Sequence, residues 1–143
     1  MVAYSFAPFF AQAVAALTKR QTIRAPRKRH ARPGEPIQLY AGMRTRHCTK
    51  LLDKDPLCVA VRPIEISTSE LLDAGIASIT IGDWVLDARE IEALAQLDGF
   101  APADFNQAAG THHSTARANM GAFWLKHHGV GRFEGVLIEW RPS

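Results

Sequence analysis

The stretch Thr18-Lys19-Arg20-Gln21-Thr22-Ile23-Arg24, continuing through Ala25-Pro26-Arg27-Lys28-Arg29-His30-Ala31 to Arg32, holds seven Lys/Arg and no acid. An apolar helical pattern precedes it and an apolar strand pattern follows it. It therefore reads as a basic ribbon fastened at both ends to a core, since a tail would have one free end. Such a ribbon suits a polyanion, and RNA is the expected partner. The charge is unevenly spread. Residues 1–52 carry ten Lys/Arg against Glu35 alone, giving +9, and residues 53–143 carry seven against thirteen acids, giving −6, for the net +3 of the chain. A basic face of this kind raises the local concentration of anionic partners.

Upstream, Val2–Phe6 reads as a short strand. Pro8 suits a first helical turn, where its missing N–H costs little. Phe6, Phe9/Phe10, Ala13/Val14 and Leu17 recur at helical spacing, predicting a helix of about ten residues whose aromatic stripe is core. Downstream, Arg32-Pro33-Gly34-Glu35-Pro36 is a turn into a strand over Ile37–Tyr40. Leu57–Ser67 is strand-like, with a break or edge at Pro63. Ile76–Leu86 contains two strands about a Gly82-Asp83 turn. Asp87 and Glu90 form a capping box for a helix that ends near Asp98-Gly99. Ala101–Thr115 reads as a loop, Thr115 as the cap of a helix ended by Gly129, and Phe133–Trp140 as a last strand. The order of elements predicts one α+β domain over residues 1–143, with mainly antiparallel pairing in a small curled sheet or barrel and helices at its ends.

The length suits one domain with a real core. No apolar run approaches the roughly 18 residues that a membrane span requires, and the N-terminus has no clear signal-peptide pattern. A cytoplasmic protein is the expectation, with Cys48 and Cys58 as reduced, partly buried thiols.

Together these residues resemble the ASCH domain family, a branch of the PUA-like superfamily. The family pattern is similar to Gly-x-Lys-x-x-Thr/Glu-x-Arg after an N-terminal helix, and the chain has Leu17-Thr18-Lys19-Arg20-Gln21-Thr22-Ile23-Arg24 there. Leu17 departs from the family's glycine. Pro33-Gly34-Glu35 leading into Ile37–Tyr40, and the closing Phe133–Trp140, carry the rest of the likeness. The resemblance implies a compact PUA-like β-barrel flanked by helices, with a cleft over the barrel mouth. It also implies RNA binding or processing. Some members are similar to small amidohydrolases acting on acetylated cytidine, and some to ribonucleases. Fold alone does not choose among these.

Two sets of residues carry candidate chemistry. Lys19 in a partly desolvated cleft can serve as base or nucleophile, or simply as a phosphate-binding cation. Thr22 offers a hydroxyl for attack or for hydrogen bonding to an oxyanion. The amidohydrolase-like members resemble one another in a glutamate after the central helix, and the nearest match is Asp98. Tyr40, Arg44 and Arg46 form the second set. Tyr40 can stack a base or act with a cation in ribonuclease chemistry, and Arg44 and Arg46 can stabilise phosphate charge. Arg20, Arg24, Arg27, Lys28, Arg29 and Arg32 fit phosphate contacts, which position nucleic acid without reading its sequence. His112-His113 and His127-His128 are not natural chelates, because adjacent residues diverge on a helix or strand. One from each pair with Asp98 or Asp104 would be needed for a metal site. Packing of His127 beside Trp124 is the simpler expectation, and neither metal nor cofactor is assigned. The leading expectation is an RNA-binding ASCH-type protein, with ribonuclease activity considered. The alternatives are an amidohydrolase removing an acyl group from a nucleoside such as N4-acetylcytidine, and a non-enzymatic interaction module.

Overall fold

The computed structural model describes residues 2–143. Strand β1 (Val2–Phe6) leads through a tight helical turn at Pro8–Phe10 into the short helix α1 (Ala11–Ala15). Strand β2 (Gln21–Arg24), the basic ribbon, and strands β3 (Ile37–Ala41) and β4 (Thr49–Lys50) follow. Next come β5 (Leu57–Thr68), β6 (Ile76–Ile81) and β7 (Trp84–Val85). Helices α2 (Ala88–Ala95), α3 (Pro102–Ala109) and α4 (Ala116–His128) precede the closing strand β8 (Gly131–Arg141).

The α+β class holds, but the strands form two open sheets in place of the expected closed barrel. One has the order β1-β3-β4, the other β2-β8-β5-β6-β7. They meet at one corner, where Pro36 bridges to Leu57 and Ile37 N–H donates to Pro56 O at 2.9 Å. On the other side β1 and β2 are both edge strands. There the link between them is a side chain: Arg24 Nη2 donates to Ser5 O of β1 at 2.7 Å. Pro26 removes a donor just after β2, so the chain leaves as the ribbon. The pairing also departs from the antiparallel expectation in one place. β1 and β3 run parallel, from Val2–Ile37 to Phe6–Ala41. The intervening α1, β2 and ribbon supply the long crossover that a parallel pair requires.

Pro63 does not break β5. It lies just before Ile64, where pairing with β6 begins, so on that side the strand is still an edge and needs no proline N–H. Asp87 and Glu90 make the capping box of α2, with Glu90 N–H donating to Asp87 Oδ1 at 2.8 Å. Thr115 caps α4 through Ala118 N–H. Helix α3 replaces the loop expected over Ala101–Thr115. Its start at Pro102 and its stop at Gly110 (φ +70°) follow the usual asymmetry, while Phe105 is its one buried residue. The weak apolar pattern concealed it.

The core joins both layers. Tyr4, Val14, Ile37 and Leu39 from one side meet Ile66, Ile79, Met120 and Ile138 from the other, all almost completely buried. The Tyr4 hydroxyl accepts from Ala31 N–H at 3.1 Å and lies 3.0 Å from His30 Nδ1. This ties the far end of the ribbon to β1. Cys58 is buried and Cys48 is exposed, and both are free thiols. Among the described residues no helix is long and apolar enough to cross a membrane.

Leu17, the departure from glycine, keeps the backbone that glycine would favour. Its φ is +62°, just after the end of α1. The turn is closed by Thr18 and Lys19 N–H groups donating to Ala13 O, both at 3.0 Å, and by Arg20 Nε donating to Leu17 O at 2.7 Å. The left-handed conformation costs an L-residue about 1–2 kcal/mol. Glycine's extra freedom in the unfolded chain offsets about 0.5–1 kcal/mol of that. Leu17→Gly is therefore expected to raise stability by about 0.5 kcal/mol in urea titration. A loss of more than that would mean that Leu17 packing outweighs the backbone term.

Candidate active site

Gln21 and Thr22 are buried on β2, and the turn before it sends Lys19 inward. Lys19 is 2% exposed. Burying an ammonium is costly unless it finds partners, and Asp98 supplies them. Lys19 Nζ donates to the Asp98 carbonyl at 2.6 Å and to Asp98 Oδ1 at 3.2 Å. It also lies over the rings of Phe10 and Phe6, at 4.8 and 5.6 Å from their centroids. Gln21 Nε2 completes the set by donating to Asp98 Oδ1 at 3.3 Å.

Local backbone geometry makes this possible. After α2 the path widens into a π-type turn over Gln96–Phe100, with Gly99 at φ +98°. Such turns interrupt the regular helical ladder, and the Asp98 carbonyl is met by Lys19 instead. A Cβ on Gly99 would lie 3.0 Å from Lys19 Cδ and 3.0 Å from Phe10 Cδ1. Glycine is required there for both φ and space. At the other end of β2, a Cβ on Gly135 would lie 2.4 Å from the Arg24 carbonyl. Its absence lets β8 hold β2 close.

Burial pulls the Lys19 amine below the usual lysine range, and Asp98 acts against that pull. Burial raises the Asp98 carboxyl, with Lys19 and Gln21 opposing. Desolvation disfavours both charged forms. The pair therefore offers an amine that releases its proton more readily than a surface lysine.

Lys19, Thr22, Arg24 and Asp98 line one cavity of about 440 Å³. This is within the range of small-molecule sites, about 300–1,000 Å³. The cavity opens between the edge strands β1 and β2, with Ser5, Phe6 and Ala7 on one side and Thr22 to Ala25 on the other. Phe10, Phe100, Phe123, Trp124 and Phe133 give it aromatic walls, and His127 and His128 also line it. Arg24 Nε donates to Thr22 Oγ1 at 3.0 Å. The hydroxyl proton of Thr22 is thus left for another acceptor. Burial pulls Arg24 below the usual guanidinium range.

The other residues singled out in the sequence lie elsewhere. Tyr40 is half-buried, with its hydroxyl donating to Gln38 Oε1 at 3.3 Å, and Arg44 and Arg46 are exposed. These three do not line the cavity. Arg20 is exposed and engaged with the turn at Leu17. In the ribbon, Arg27 Nε donates to Arg29 O at 2.8 Å and its guanidinium lies 4.7 Å from the Tyr4 ring centroid. Arg29 pairs with Glu35, which also accepts from Arg32 N–H at 2.7 Å. The Arg29 hydrogen bond, with help from Arg32, holds Glu35 below the usual carboxylate range. Lys28 and Arg32 present exposed side chains.

Sequence reasoning missed the cavity walls. Phe6 and Phe10 read as core because a wall and a core residue share the same periodicity. The histidines had a usable signal in their spacing of four residues from an aromatic. His127 lies 4.2 Å from Phe123, and His128 lies 4.2 Å from Trp124, between ring centroids. It is thus His128, not His127, that packs on Trp124. Burial, aided by His127, lowers the His128 imidazole below its ordinary value. Among the described residues no group of three His, Cys, Asp or Glu is placed to hold a metal ion.

No family model, curated protein or solved structure matches this chain.

Proposed function

We propose that this protein is a small amidohydrolase that removes an acyl group from a flat, aromatic amine such as the base of an acylated nucleoside. The observation that carries this reading is the meeting of Lys19, Thr22 and Asp98 in one aromatic-walled cavity. The Lys19-x-x-Thr22-x-Arg24 pattern, which resembles the ASCH domain family, supports it further. The PUA-like reading of the fold belongs to the same proposal, with the two sheets taken as such a barrel opened between β1 and β2.

In this mechanism the neutral Lys19 amine takes the Thr22 hydroxyl proton as Oγ1 attacks the acyl carbon. The carbon–nitrogen bond then breaks, and the proton passes to the departing amine. Water hydrolyses the acyl-threonine, releasing a carboxylic acid and restoring the hydroxyl. Asp98 and Gln21 position Lys19, and the aromatic walls hold the flat leaving group. N4-acetylcytidine is the simplest test compound. Purified protein is expected to convert it to cytidine and acetate, resolved by chromatography. No turnover, or turnover unchanged in Lys19→Ala, would overturn the assignment.

A second reading, RNA binding, is supported by the exposed Lys28 and Arg32 of the ribbon and by the exposed Arg44 and Arg46. RNA affinity that falls steeply with salt would favour it. The absence of binding at low salt would remove it.

A further inference from the structure

The cavity holds more positive charge than the proposed reaction requires. Among the described residues Asp98 is the one carboxylate lining it, and Lys19 occupies that carboxylate. Arg24 lines the same cavity, and no carboxylate lies within ion-pairing distance of it among the described residues. Its Nε is used on Thr22 and its Nη2 on Ser5 O. Its Nη1 makes no hydrogen bond among the described residues, so one edge of the guanidinium remains available. The guanidinium also lies over the Phe6 and Tyr4 rings, with their centroids at 5.0 and 5.4 Å. The group is therefore fixed in place by four contacts. A half-buried guanidinium with its orientation fixed and a free edge is the arrangement that recognises a carboxylate.

Distance narrows the ligand. Nε lies 3.0 Å from the Thr22 hydroxyl. Nη1 lies across the guanidinium from the Nε–H, so an anion hydrogen-bonded to it would lie about 7 Å from the attacking oxygen, by ordinary hydrogen-bond lengths. The 5′-phosphate of a nucleotide acylated on its base is at the opposite end of the molecule from the scissile amide, and it does not meet this requirement. A carboxylate three or four bonds from the scissile carbon does.

We infer that the substrate is an amide bearing a carboxylate beside its scissile bond, held by the free edge of Arg24. Either a dicarboxylic acyl group or an amide formed on the nitrogen of an α-amino acid supplies that chemistry. The inference rests on reading the cavity as a hydrolase site, and it makes N4-acetylcytidine a minimal substrate lacking one binding group.

The test uses two ligands of nearly the same shape that cannot be hydrolysed, phenylacetate and phenylacetone. Each is titrated into the full-length protein at low salt and followed by NMR chemical shifts. Phenylacetate is expected to bind about tenfold more tightly or better, as a charge-assisted contact implies. Shifts should centre on Thr22 and Arg24. Arg24→Gln should bring the two affinities within about twofold, and Arg24→Lys should keep part of the preference. Equal affinities in the unsubstituted protein would overturn the inference without any variant. So would a preference that survives Arg24→Gln, which would locate the anion on the ribbon. N4-acetylcytidine turnover is measured separately. Selective phenylacetate binding without turnover would defeat the hydrolase reading and leave the anion site standing. Turnover without selectivity would do the reverse.

Discussion

Lys19→Met is expected to lower the free energy of unfolding by about 3–5 kcal/mol at pH 7, the usual effect of removing one partner from a buried ion pair. The methionine fills much of the same volume between Phe6 and Phe10, so lost packing is a small part of the effect. The larger part is Asp98, 5% exposed and left without its cation. Lys19 is the principal influence holding the Asp98 carboxyl down against burial, so the variant should raise that carboxyl further. The sign of the pH dependence follows. A carboxyl raised by folding stabilises the protein fully below its unfolded value of about 3.8, and that contribution is lost as pH rises through the folded value. The deficit of Lys19→Met should therefore shrink on acidification. Adding Asp98→Leu should recover part of that loss by removing the uncompensated carboxylate, while Gln21 Nε2 is left without an acceptor and the carbonyl of residue 98 without its donor. Denaturant titration of the two single variants and the double variant gives the coupling. If the double variant simply sums the two losses, the pair is not the unit described here.

The second large effect concerns chemistry and should change stability far less. Thr22→Ala is expected to reduce N4-acetylcytidine turnover by a factor of about 10³ or more, as loss of an attacking group does in other hydrolases. Thr22→Ser should retain measurable activity. Among the described residues the Thr22 hydroxyl has one hydrogen bond, from Arg24 Nε, so Thr22→Ser should keep the unfolding midpoint, and Thr22→Ala should cost about 1 kcal/mol through the donor left unpaired. The pH profile provides an independent check. Lys19 must be neutral to accept a proton, so kcat/KM should rise with pH as the amine deprotonates. Burial pulls Lys19 below its ordinary value of 10.5, which places that limb below the position of a solvated lysine. A rate that falls as pH rises towards 10, with the protein still folded, would exclude Lys19 as the base.

Lys19 and Thr22 were legible because their spacing lies in a short motif, and because a basic run between two apolar patterns must be anchored. Asp98 was legible as a residue beside a helix-ending glycine. Its role depends on a carbonyl freed by a π-type turn, which no periodicity reveals. The capping box at Asp87 and Glu90 was readable since it is local chemistry. The parallel pairing of β1 with β3 and the separation into two sheets were not, because they depend on contacts distant in sequence. Arg24 reads from its charge as a phosphate contact, and its hydrogen bonds place it in the cavity beside Thr22, a position that charge alone does not reveal.

The junction of β1 and β2 has a mechanical consequence. A barrel closed by a backbone ladder has a fixed circumference, because widening it breaks a row of hydrogen bonds at once. Here the gap between the two sheets is bridged at that point by one side-chain hydrogen bond, from Arg24 to Ser5 O. Such a bond to a charged group is worth about 1.5–3 kcal/mol, far less than a row. The two rims of the cavity are thus held by one hydrogen bond and by the packing of Arg24 and Lys19 on the β1 rings of Tyr4 and Phe6, and Arg24 is the clasp. A ligand that engages Arg24 would bind and refasten the opening in the same act.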